Sequence, residues 1–84
     1  MTRYTTENAG IYSVPQEDLE NAIQVLGKFE DAYEHLMRSQ TQIPFDLEKM
    51  RVEGKIKTVR YKEKMAQKLI NNNIAMFFEK HGLK

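Results

Sequence analysis

From Leu19 to Leu36 the apolar residues Leu19, Ala22, Leu26, Phe29, Tyr33 and Leu36 recur at steps of three, four, three, four and three. That is a heptad seam, and it commits this segment to a helix that lies along another helix. A chain of 84 residues makes one domain at most, and a single core at that size is marginal without disulfides, a metal or self-association. Cysteine is absent, which removes disulfides and thiolate zinc sites. Stability has to come from packing, within the chain or between copies.

The seam belongs to a helix expected from about Val14 to Arg38. Ser13 reads as its cap, with Pro15 in the first turn and Glu17, Asp18 and Glu20 at the positive end of the helix dipole. Ile23, Val25, Ala32 and Met37 widen its apolar face to about half the circumference, broader than a strict coiled-coil seam. The stretch Met1–Ser13 has no helical period and reads as a flexible arm, disordered or extended on a partner. Pro44 disfavours helix at Ile43, so Gln40–Pro44 reads as a connector and Phe45–Val52 as a short helix.

Met50–Tyr61 carries β-branched residues around Glu53-Gly54 and admits either a hairpin or helix across a weak glycine. Ile56 and Val59 are three apart, which favours helix. From Lys55 to His81 the helical period is strong. Ile56, Val59, Ala66, Ile70, Ile74 and Phe77 share a stripe, with Met65, Leu69 and Met76 beside it. Gly82 is placed to take a left-handed cap, with Leu83 folding back on Phe78. Asn73 falls near the apolar arc, where it would fix register if paired or mark a frayed turn if solvated.

These elements predict an all-α protein: an antiparallel helical hairpin with a short intervening helix, dimerising into a four-helix bundle. Residues 1–13 are the arm and 14–84 a single helical domain. The expected dimer core is Leu19, Leu26, Phe29, Tyr33, Leu36, Ile70, Ile74 and Phe77.

Charge is balanced overall but not along the chain. Residues 1–48 hold three basic and nine acidic side chains; residues 49–84 hold ten basic and three acidic. An acidic half facing a basic half, within one chain or between two, is the favoured reading, and an outside polyanion the second. Lys57, Arg60, Lys64 and Lys68 form a basic stripe with Tyr61 beside it, a set of groups that could meet phosphates and bases. The plainer reading of that stripe is a solvated face or a surface for acidic helices.

Catalytic signals are weak. His35 and His81 sit on different helices without ligand spacing, and Ser13 and Ser39 have no histidine placed to activate them. The four glycines are isolated, so no phosphate loop is present. The first helix offers only Lys28 and Arg38 toward an anionic substrate. Neither cofactor nor metal is expected. No apolar run approaches the roughly 20 residues that cross a bilayer, and Met1–Val14 lacks the apolar core of a signal peptide, so no membrane is expected and the cytoplasm is the expected location. The function these features predict is a small non-enzymatic helical interaction or accessory protein acting as a homodimer. A nucleic-acid-binding regulator using the basic stripe is the alternative, and a protein partner is compatible with both.

Overall fold

A computed structural model describes residues 2–83, and the described chain is mostly helical. Two short strands, β1 (Thr6–Asn8) and β2 (Ile11–Ser13), are followed by a single 3₁₀ turn at Gln16–Asp18 and then by the helices α1 (Leu19–Val52) and α2 (Val59–Lys80). The chain forms two compact units, divided within α1 between Tyr33 and Glu34.

The first unit holds the strands and the start of α1. The strands pair antiparallel with Thr6 opposite Ser13, Glu7 opposite Tyr12 and Asn8 opposite Ile11. Ala9 and Gly10 make the two-residue connection with φ of 53° and 80°. Two positive φ values in such a loop belong to a mirror-image turn, whose twist matches that of the strands it joins. The segment expected as a flexible arm thus contains a hairpin. Ser13, expected as a helix cap, instead belongs to β2, where its hydroxyl lies 3.2 Å from that of Thr6. The 3₁₀ turn begins after Pro15 with no side-chain cap.

The second unit is a helical hairpin made by the later part of α1 and by α2. Gln40 on α1 donates to Asn72 on α2, and Lys64 on α2 donates to Asp46 on α1. Moving up α1 from 40 to 46 moves down α2 from 72 to 64, so the helices run antiparallel. The turn between them is built by the backbone. Gly54, with φ of 73°, lets its own amide reach the Arg51 carbonyl while the Lys55 amide reaches that of Met50. This pairing closes a helix end through one left-handed residue. Thr58 then caps α2 by accepting from the Tyr61 amide. The ambiguous stretch Met50–Tyr61 is therefore helix end, turn and helix start, with no strand.

The far end of α2 repeats the device. Gly82 has φ of 82°, its amide bonds the Glu79 carbonyl, and the Leu83 amide bonds that of Phe78. This agrees with the cap expected at Gly82 and Leu83.

Pro44 departs from expectation. It lies inside α1, so neither the connector nor the separate short helix exists. A proline there lacks the amide that would bond the Gln40 carbonyl and costs about 3 kcal/mol relative to alanine. The heptad explains why the helix continues. Extending the steps beyond Leu36 gives Gln40, Ile43, Leu47 and Met50, and Leu36, Ile43, Leu47 and Met50 are all buried. Each such side chain is worth about 1.5–3 kcal/mol when buried. A break at Pro44 would turn three of them off the seam, which costs more than the missing hydrogen bond. Pro44→Ala is accordingly expected to stabilise the protein by about 1–3 kcal/mol, read as a higher urea midpoint at fixed protein concentration.

Candidate functional site

The two sides of α2 are the feature of interest. Tyr61, Lys64, Lys68, Asn71, Ala75 and Phe78 recur at steps of three and four, and they are the positions of α2 withdrawn from solvent. This face meets α1, and it is polar for an inner face. Lys64 Nζ donates to Asp46 Oδ2 at 3.2 Å, and Gln42 Nε2 donates to Asp46 Oδ1 at 2.8 Å. Gln67 Nε2 donates to Asn71 Oδ1 at 2.7 Å. Asn71 is 4% exposed, and its Nδ2 has no hydrogen-bond partner among the described residues. The polar residue inside is therefore Asn71; Asn73, read as either paired in the core or solvated, is exposed.

The opposite side of α2 is apolar and open. At about 100° per residue, Val59, Ala66, Ile70 and Phe77 lie nearly opposite the inner face. Ile70 is 50% exposed and Phe77 59%, and Leu69, Ile74 and Met76 beside them are exposed as well. In the first unit, Leu19, Ile23, Leu26 and Phe29 on α1 are also exposed. Of the eight residues expected in a dimer core, Leu36 is buried and Tyr33 is half-buried. Leu19, Leu26, Phe29, Ile70, Ile74 and Phe77 lie open. Isolated apolar residues on a surface are ordinary, whereas contiguous apolar faces mark interaction sites.

The basic stripe is divided. Lys57, in the turn, and Arg60 are exposed, whereas Tyr61, Lys64 and Lys68 stand on the half-buried inner face. The four cations do not share one open surface, because the inner heptad takes two of them. The Lys64–Asp46 pair is about a quarter exposed at each side chain and withdrawn from bulk water. The Gln42 amide first, and then Lys64, hold the Asp46 carboxyl below the usual carboxylate range. A lowered folded value means that ionised Asp46 stabilises the fold above the unfolded carboxylate range. That contribution is lost as pH falls through the folded value, below about pH 4. Asp46→Asn should therefore flatten the acid limb of the stability curve in that window and leave its slope at neutral pH unchanged, as urea melts across pH would show.

Asn71 yields a prediction of the opposite sign. Its unpaired donor costs about 1–3 kcal/mol of desolvation. Asn71→Leu removes that donor and is expected to raise stability by about 1–2 kcal/mol. A buried polar residue in a heptad also selects among pairings, so the same variant should broaden the distribution of assemblies seen by sedimentation velocity.

Elsewhere the surface offers little shaped chemistry. A shallow, open depression on the second unit is lined by His35, Met37, Arg38, Ser39, Thr41 and Gln42. His81 closes α2 with its ring 4.8 Å from that of Phe77. Among the described residues, no three His, Asp or Glu side chains are grouped to hold a metal ion, and no helix is long and apolar enough to cross a membrane. Sequence reasoning missed the polar pairs that join the helices, Gln40 with Asn72 and Asp46 with Lys64, and the burial of Asn71. The signal for Gln40 was present, since it is the next heptad position after Leu36. Comparison of the chain with protein-family models, curated proteins and solved structures finds no match.

Proposed function

We propose that this chain is a non-enzymatic helical interaction module that works as a homodimer, in a cytoplasmic setting compatible with its lack of cysteine. The observation that carries the reading is the orientation of α2. A helix with both a polar and an apolar side has turned the polar side toward its own chain and left Ile70, Ile74 and Phe77 in solvent. Burial of apolar area is the main favourable term in folding and association. A second copy that covers these residues would recover it, with the four helices of two hairpins forming a bundle.

Sedimentation equilibrium of the full chain tests the proposal. A dimer at micromolar concentration is the expected result, and a folded monomer persisting to about 100 μM would overturn it. The same preparation, titrated against a fluorescent DNA or RNA oligonucleotide, addresses the alternative. Binding at physiological salt that disappears in Arg60→Glu would replace the interaction reading with a nucleic-acid one.

A further inference from the structure

We propose that α2 can leave its own α1 and pair in the same register with α1 of a second copy, through a turn that becomes helix, giving an exchanged dimer. This goes beyond the bundle of closed hairpins and does not depend on it. The partner is a second copy because every copy offers the same inner side of α1 that α2 already fits.

The phase of the two inner faces carries the inference. On α1 the inner positions are Leu36, Gln40, Ile43, Leu47 and Met50; on α2 they are Tyr61, Lys64, Lys68, Asn71, Ala75 and Phe78. The steps of three and four on α1 run on across the turn without a break, from Met50 to Gly54, Lys57 and Tyr61. One continuous helix would therefore carry both inner faces on a single seam. A closed hairpin does not require this, since its turn can set α2 at any phase. A straightened chain does. The Gln40–Asn72 and Asp46–Lys64 bonds have their midpoints at residues 56 and 55. Two straightened chains laid antiparallel about that point would form both bonds again, between copies.

The turn permits the change. Glu53 to Thr58 contain no proline and the single glycine Gly54. All six residues are exposed, so straightening takes no apolar side chain out of a core. The closed turn rests on backbone bonds from Gly54 to Arg51, Lys55 to Met50 and Thr58 to Lys55, and on the Thr58 cap. Helix entering from both ends replaces these with bonds of its own. Gly54 and Lys57 then face each other across the copies, where glycine leaves room for the lysine stem to run out to water. Glu53 and Arg60, each one residue before a seam position, come to the same flank of the pair with opposite charge.

Gly54 holds the hairpin shut. Its φ of 73° suits the turn, and glycine is a poor helix former. The short connection also keeps α2 near its own α1 at an effective concentration of roughly millimolar order. The chain is thus closed when dilute, and exchange takes opening and re-pairing at high concentration.

Because the chain has no cysteine, one engineered disulfide reports which α2 meets which α1. The full chain with Gln40→Cys and Asn72→Cys, reduced in urea, is refolded at about 1 mM and at about 1 μM and then oxidised. Covalent dimers are expected at the higher concentration and chains closed on themselves at the lower. Chains closed on themselves at both would overturn the exchange; if they still sediment as dimers, the bundle stands without it. Two further variants in the same background, each checked for helix by circular dichroism, test the turn. Gly54→Ala should raise the ratio of exchanged to closed chains about tenfold or more. Two alanines inserted between Lys55 and Ile56 lengthen the turn but rotate the inner faces about 200° apart in a straight helix. That chain should close on itself and give no covalent dimer. No rise in the first variant, or undiminished exchange in the second, would overturn the proposal.

Discussion

Leu47→Ala should cost about 2–5 kcal/mol and come close to unfolding the helical hairpin. Leu47 is the most buried apolar side chain of the second unit, 6% exposed, and it stands one helical turn from both Ile43 and Met50 on the inner side of α1. Truncation removes its transfer energy and leaves a cavity that its neighbours fill only in part. The loss is large against the stability a domain of this size commands, about 0.05–0.15 kcal/mol per residue. Phe45→Ala, two positions away, is the control. Phe45 is larger but points into solvent, and its truncation should stay within about 0.5 kcal/mol. Urea melts of the two variants at one protein concentration separate the cases. Equal losses would mean that α1 does not present Leu47 to α2.

That contrast also shows what the residues disclosed and what they concealed. The heptad between Leu19 and Leu36 is real helix, and α2 ends where Gly82 and Leu83 close it. Both signals are local: a spacing in one case, a glycine able to adopt positive φ in the other. Pro44 was a local signal that misled. Its cost is fixed and readable, but the burial of Ile43, Leu47 and Met50 that outweighs it is tertiary. The hairpin at Ala9-Gly10 was hidden for another reason. All six strand residues are exposed, so no burial imposes an alternation, and alanine at φ of 53° is a weak advertisement for a turn that favours asparagine or glycine.

The side of α2 that faces inward was the least legible part of the candidate surface. Hydrophobicity places Ile70, Ile74 and Phe77 together, and that much is seen in the helix. It does not say which partner meets them. Within one chain the heptad Tyr61, Lys64, Lys68, Asn71, Ala75 and Phe78 takes the inner place, anchored by Lys64 on Asp46. Asp46 lies 18 residues from Lys64 in sequence, and no periodicity within either helix reveals such a pair.

Leu26→Asp should abolish association while leaving the second unit folded. Leu26 is 56% exposed in the single chain and lies outside the hairpin of the second unit. A carboxylate there stays solvated in a lone copy and carries little cost. In the proposed dimer the same position is covered by the second copy, and the carboxylate would lose its water without gaining a partner. The expected loosening is at least about 100-fold, or ~2.7 kcal/mol. Circular dichroism should show the helical signal falling by no more than fraying at the start of α1 accounts for, since a helix propagates from a packed segment more readily than it nucleates alone. Sedimentation should show a monomer. Leu47→Ala predicts the reverse order, with loss of fold first and loss of assembly as its consequence. A Leu26→Asp chain that still dimerises at wild-type strength would exclude the start of α1 from the interface. A chain that unfolds outright would show that Leu26 is held within one copy.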